Sequence, residues 1–315
     1  MALGVAGTRV GCWTDTEHHT GCTVVVPPTG SQGVIAVRGG APGTREAAAL
    51  GPTGNVRECH AIVLSGGSAF GLSTADGVMR WCVANDIGYD RFVARIPIVG
   101  AAIVFDIRDA VSPRPDADAG WAACEAATED DPPQGSVGVG AGCTVGKTAG
   151  LEWGSKGGQG CAVVSAGGIT VGALVAVNAL GDVLDERGGV LAGSRAPADQ
   201  PRYPEAEPFA SPPVAAQEHT VIGCLVTDAR LTKPDAVRAA DLAHSGVARA
   251  VNPAHTSLDG DALFLLSAQR VDASLDLVAD LGARAVAAAI RSAVRHATPM
   301  PGFPVDPRAT SQAAS

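Results

Sequence analysis

Residues 138–148, GVGAGCTVGKT, end in Gly146-Lys147-Thr148, the triplet with which a phosphate-binding loop closes. Such a loop needs G-x-x-x-x-G-K-[ST] between a strand and a helix, because its amides wrap the phosphates while the lysine reaches the terminal ones. Counting back, the first glycine falls on Ala141, and the following AGLEWGSKGGQG is too glycine-rich to open a helix. Gly138, Gly140 and Gly142 do not complete a dinucleotide fingerprint either, since its last glycine falls on Cys143. Lys147 is thus a lysine in a glycine-rich turn, free for other chemistry.

A second candidate is Thr220, at the junction of a proline-rich stretch and the apolar run TVIGCLVTD. A threonine there simply opens a strand, or else, if the chain is cut before it, carries a hydroxyl and a new α-amine on one residue. The amine then serves as the hydroxyl's own base. Downstream, Asp259 and Asp261 are two apart, so in an extended segment both carboxylates point to one face. The other patterns fail on spacing. SGGSAFG has Phe70 where a nucleophile elbow needs its last glycine, and Asp259-Gly260-Asp261 has no glutamate closing a calcium loop. His18-His19 and Cys59-His60 are adjacent pairs whose side chains diverge in a strand, a poor start for metal ligation.

Short apolar runs punctuated by glycine fill the first 180 residues, among them CTVVVPP, GVIAV, VARIPIVGAAIVFDI and ITVGALVAVNALGDV, and read as buried strands. HAIVLSGGSAFGL reads as a strand, a tight glycine turn and a helix start, the helix running on through Leu72, Ala75, Val78, Met79 and Cys82. Residues 185–218 turn abruptly to proline, charge and small residues, as a surface loop does. Then come a strand at TVIGCLVTD, a helix over TKPDAVRAADLAHSGVARAV with Thr232 as N-cap, a strand at ALFLLSA and an alanine-rich helix over about 275–296. The tail from Thr298 is expected to be loose. Many strands with helices early and late predict a layered α/β (α+β) domain.

The composition agrees: 46% hydrophobic and 17% charged residues describe a globular core. A net charge of −9 with 4% aromatic residues argues against a nucleic-acid partner. The start MALGVAGTRVGCW lacks the pattern of a signal peptide, and no apolar run reaches the roughly 18 residues of a membrane span, so a soluble, cytoplasmic protein is expected. Eight scattered cysteines without a C-x-x-C pair read as reduced and buried.

At this point the chain resembles the L-aminopeptidase/D-amino-acid esterase and amidase family, which includes β-peptidyl aminopeptidases and the nylon-oligomer hydrolase. The ordered segments that carry the resemblance are GVAGTRVGCWTD, VRGGAPGTRE, HAIVLSGGSAFGLSTADGVMRW, IPIVGAAIVFDI, SVGVGAGCTVGK, GALVAVNALGDV, HTVIGCLVTDARLT and ARAVNPAHTSLDGDALF. The resemblance implies one four-layer αββα sandwich over residues 1–315, similar to N-terminal-nucleophile hydrolases, made as a precursor that cuts itself between His219 and Thr220. It implies an α chain 1–219 ending in the 185–218 loop, a β chain 220–315, and a homotetramer of αβ units acting on small-molecule or short-peptide substrates without metal or organic cofactor. By position, Thr220 matches the nucleophile, Asp259 and Asp261 the acidic pair, Lys147 the active-site lysine and Asn178 the asparagine whose amide suits an oxyanion. The implied activity is hydrolysis of an amide or ester next to a free amino terminus through an acyl-enzyme. An acyltransferase using the same acyl-enzyme, or a scaffold that never matures, are the alternatives. Two departures stand out: His219 where asparagine is common, and Phe105 where some members carry an oxyanion-binding tyrosine.

Overall fold

The computed structural model describes residues 1–204 and 219–311. Ten strands make two five-stranded sheets. The first sheet contains β1 (Arg9–Asp15), β2 (Thr20–Val26), β4 (Thr44–Arg45), β5 (Ala61–Ser65) and β6 (Val99–Ile103) in the order β1-β2-β5-β6-β4. The second contains β3 (Gln32–Val37), β7 (Gly158–Ala166), β8 (Ile169–Asn178), β9 (Thr220–Arg230) and β10 (Ala262–Asp272) in the order β7-β8-β9-β10-β3. Within each sheet one pair is parallel, β5 with β6 and β9 with β10. The other pairings are antiparallel. A parallel pair cannot be joined by a hairpin, so each needs a long crossover, here carrying helices. Helix α1 (Thr74–Ala84) lies between β5 and β6, and α3 (Lys233–Ala243) with α4 (Ser245–Ala250) between β9 and β10. Helix α2 (Ala117–Glu125) packs beside α1, and the long α5 (Leu275–Arg295) lies across the second sheet.

Three apolar cores separate four layers. Leu64 and Ile62 of the first sheet meet Ile222, Leu174 and Phe264 of the second. Val24, Val63 and Ala101 face α1 and α2, while Val175, Leu225 and Leu265 face α3 and α5. This is the αββα sandwich. Small residues set the layer spacing: a Cβ on Gly100 would stand 2.9 Å from the Phe264 ring, so glycine there lets the aromatic fill the gap between the sheets.

Several sequence expectations are adjusted. VARIPIVGAAIVFDI is broken at Pro97, which has no N–H for a ladder, and the sheet strand covers only Val99–Ile103. The helix expected over residues 232–251 is two, turning at His244 where Gly246 lets the second approach the Ala283 carbonyl. Thr232 does cap the first, its Oγ1 accepting from Asp235 N–H. Residues 190–192 of the expected proline-rich loop form a short strand on Asp182–Leu184, with Leu191 and Ala192 buried; residues 205–218 lie outside the described residues. The tail is not loose through residue 311. Met300 and Phe303 are buried, Asp306 accepts from Gly193 N–H at 3.1 Å, and a short helix, α6 (Pro307–Ser311), follows. Residues 312–315 lie outside the described residues.

Candidate active site

Three adjacent strands bring polar residues to one end of the second sheet. Asn178, the last residue of β8, lies directly opposite Thr220, the first of β9. On the other side, the parallel register of β9 with β10 runs back past the strand start. Ile222 pairs with Ala262 and His219 bridges Asp259, so the acidic segment is laid along the His219-Thr220 peptide. Gly260 N–H donates to the His219 carbonyl at 2.7 Å, and His219 N–H to the Leu258 carbonyl at 3.4 Å. Glycine is needed at 260, because a Cβ there would stand 2.9 Å from Thr220 Oγ1. The end of β3 clamps this segment: Arg38 and Gly39 N–H donate to the Asp261 carbonyl at 2.9 and 3.1 Å, and Ala41 N–H to that of Asp259 at 2.9 Å. The run VRGGAPG, which gave no chemical signal, therefore holds the acidic pair in place.

The two carboxylates take different partners. Asp261 Oδ1 accepts from Val221 N–H at 2.6 Å. Asp259 Oδ2 accepts from Thr256 N–H and Oγ1–H at 2.7 and 2.6 Å. Burial, and then the neighbouring Asp261 charge, push Asp259 up to about 6 against the opposing Thr256 bonds and Lys147.

The glycine-rich turn supplies the lysine. Gly146 and Lys147 N–H donate to the Gly181 and Leu180 carbonyls at 2.9 and 2.8 Å, fixing the turn beside the end of β8. Lys147 Nζ donates to Asn178 O at 3.0 Å and Asn178 Oδ1 at 3.2 Å. Burial, helped by the Arg108 charge, holds Lys147 down to about 7, while Asp259 opposes the shift. Asn178 Oδ1 also accepts from Thr144 N–H at 3.0 Å, and its Nδ2 donates to the Phe105 carbonyl at 3.0 Å. At most one amide N–H is then left for a substrate oxygen. Thr220, His219, Lys147, Asn178, Asp259 and Asp261 are each 3% exposed or less. His219 Nδ1 finds no hydrogen-bond partner among the described residues, and burial, with Lys147 nearby, keeps that ring neutral.

The glycine turn at Ser65–Ser68 belongs elsewhere. Gly67 N–H donates to Asp106 at 2.7 Å and Ser68 N–H to the Val104 carbonyl at 3.0 Å, so these amides face internal acceptors. A second buried lysine, Lys156, donates to the carbonyls of Gly140, Cys143 and Gly157 at 2.8–3.1 Å and ties the 138–148 turn to its own hairpin. His255, to which the sequence assigns no role, stands against Asp261 with Nδ1 2.7 Å from Oδ2. All eight cysteines are free, and no cluster that could hold a metal occurs among the described residues.

A buried threonine thus opens a strand, with an acidic pair, a lysine and an asparagine gathered about the peptide before it. The model of peptidase family S58 matches residues 3–306. The chain belongs to peptidase family S58. An "uncharacterized aminopeptidase" of Mycobacterium tuberculosis is 40% identical over 338 residues, covering 95% of each chain. A 6-aminohexanoate-oligomer endohydrolase of Kocuria sp. is 30% identical, covering 84% of this chain and 74% of that one. Among solved structures, the L-aminopeptidase D-Ala-esterase/amidase of Ochrobactrum anthropi, described as a variant of the Ntn-hydrolase fold, superposes with a TM-score of 0.71 at 19% identity, over 99% of this chain and 93% of that one. A Burkholderia sp. β-aminopeptidase does so with 0.68 at 21%, over 94% and 86%. The S58 chain therefore has the Ntn-hydrolase fold and sits in a family of aminopeptidases and amide hydrolases. Among its described residues no helix is long and apolar enough to cross a membrane.

Proposed function

We propose that the chain is a self-processing aminopeptidase or amidohydrolase whose nucleophile, Thr220, is created by cleavage of the His219–Thr220 bond. The observation that carries this reading is the peptide itself: the His219 carbonyl already accepts from Gly260 N–H at 2.7 Å beside a buried threonine hydroxyl. That bond polarises the carbonyl and is in place to receive negative charge on its oxygen. Thr220 Oγ attacks the carbonyl carbon, its proton passes to the departing nitrogen, the C–N bond breaks to free the α-amine of Thr220, and water hydrolyses the resulting ester to give chains 1–219 and 220–315. A free α-amine has a pKa of about 7.7–8.0, so a useful share is neutral near pH 7 and can take the hydroxyl proton in later turnovers.

In turnover, Thr220 Oγ gives its proton to the α-amine and attacks an amide or ester next to a substrate's free amino terminus; the amine or alcohol leaves with that proton, and water then hydrolyses the acyl-enzyme. Asp259 and Asp261 orient the α-amine, Lys147 disfavours its ammonium form, and Asn178 offers an amide N–H to the oxyanion. Small peptides, amino-acid amides, β-peptides and oligoamides make up the substrate class, in line with the relatives' names. The reaction needs no metal or organic cofactor, and the active form is a cytoplasmic homotetramer of αβ units.

Denaturing electrophoresis with intact mass tests the central claim. Two chains are expected, the smaller beginning TVIGCLVTD, and Thr220→Ala should leave one inactive chain. A wild-type chain that stays whole yet hydrolyses amino-acid amides, or an active Thr220→Ala variant, would overturn it. Product analysis with an added amine acceptor separates hydrolysis from acyl transfer.

A further inference from the structure

Asp261 is gripped from both sides. Oδ1 accepts from Val221 N–H, one residue from the nucleophile, at 2.6 Å. Oδ2 accepts from His255 N–H at 3.2 Å and faces His255 Nδ1 at 2.7 Å. The other ring nitrogen, Nε2, lies 3.4 Å from the His244 carbonyl. Both ring nitrogens thus face acceptors, which only the doubly protonated imidazole satisfies on both sides.

The surroundings are set by three elements. His244, at the junction of α3 and α4, meets His255 edge-on with ring centroids 5.0 Å apart. Its own Nε2 faces the Ala36 carbonyl of β3 at 3.1 Å. Arg38, just past β3, is ion-paired to Asp241 of α3. Burial and Arg38 work against a charged His255, but the hydrogen bond and charge of Asp261 outweigh them and hold it above the ordinary histidine value. His255 also occupies the left-handed region, with φ of 57°, where asparagine and glycine are tolerated better than other residues.

We propose that His255 is a positioning residue for the reaction at Thr220: its ring fixes the rotamer of Asp261, so that this carboxylate stays on Val221 N–H and beside the nucleophile. Asp259 is held separately, by Thr256 N–H and Oγ1–H. The inference rests on Thr220 being the nucleophile.

The test uses the full chain. His255→Asn suits the left-handed backbone and places an amide N–H near the position of Nδ1. His255→Gly relieves the backbone and removes the ring. We expect His255→Gly to lower kcat about 10–100-fold with KM changed less than about threefold, since a misplaced group costs rate rather than binding. His255→Asn should stay within about threefold of wild type and lose any feature of the pH–kcat profile that titrates with the imidazole. Equal kcat in wild type and His255→Gly would overturn the proposal, as would His255→Asn being as slow as His255→Gly. If His255→Gly does not fold, His255→Gln takes its place; its amide reaches toward Nε2, so it should fall well below His255→Asn, and the reverse ranking would overturn the proposal. Intact mass of each variant keeps the two claims apart. Failure of the wild type to be cut at 219/220 removes the nucleophile assignment itself, whereas normal cutting with equal rates removes only the role of His255.

Discussion

Lys147 shows most directly what the site costs the fold. Burial holds it down to about 7 from an ordinary 10.5, so between those values the unfolded chain binds the proton more tightly than the folded one. Stability therefore rises with pH through that window, and at pH 7 and below the folded protein carries the penalty of a buried charge. Lys147→Met keeps the length without the charge; it should raise the thermal midpoint at pH 7 by about 2–4 °C while abolishing maturation or turnover. Scanning calorimetry checks this, and the gain over wild type should shrink toward pH 10. Asp259 works with the opposite charge. It is pushed up to about 6, and the Thr256 bonds pull it back down. Thr256→Ala deletes one of those bonds, so the acidic limb of kcat/KM should move up by roughly 0.5–1 pH unit, because more alkaline solution is needed to ionise the carboxyl. An unmoved limb would mean that Asp259 does not titrate in turnover.

At the level of elements, the motifs were readable where chemistry and local structure coincide. Thr220 opens β9 as its place at the head of TVIGCLVTD requires, and Thr232 and the alanine-rich α5 follow propensity and capping. The extended reading of Asp259 and Asp261, with both carboxylates on one face, described their spacing but not their partners, which come from Thr256 on one side and Val221 with His255 on the other. Helix α5 depends on residues that looked like mere spacers. A Cβ on Gly160 of β7 would meet the Ala289 carbonyl of α5 at 2.0 Å. Gly160→Ala must push a 21-residue helix off its sheet and should cost about 1–3 kcal/mol, measured by urea unfolding. A neutral result would show that the helix can shift freely over the second sheet.

For the whole molecule, the site stands on the contact between the two sheets. Phe264 is fully buried there, on the strand whose lead-in carries Asp259 and Asp261. Phe264→Ala should cost about 3–5 kcal/mol and slow maturation along with folding, whereas Lys147→Met separates the two; a gel time course beside a denaturation curve distinguishes them. Periodicity, capping signals and composition were enough to determine that this is a layered α/β chain with a threonine at a strand start, an acidic pair and a lysine in a glycine-rich turn, because those features are local. Family likeness supplied the positions that belong together. Only the tertiary structure decided what each group touches: that the His219 carbonyl rests on Gly260, that VRGGAPG clamps the acids, that Asn178 holds Lys147, that the tail docks through Asp306, and that His255 grips Asp261. These contacts join residues that are distant in sequence or turned by irregular backbone, and neither kind of proximity leaves a period or a spacing to read.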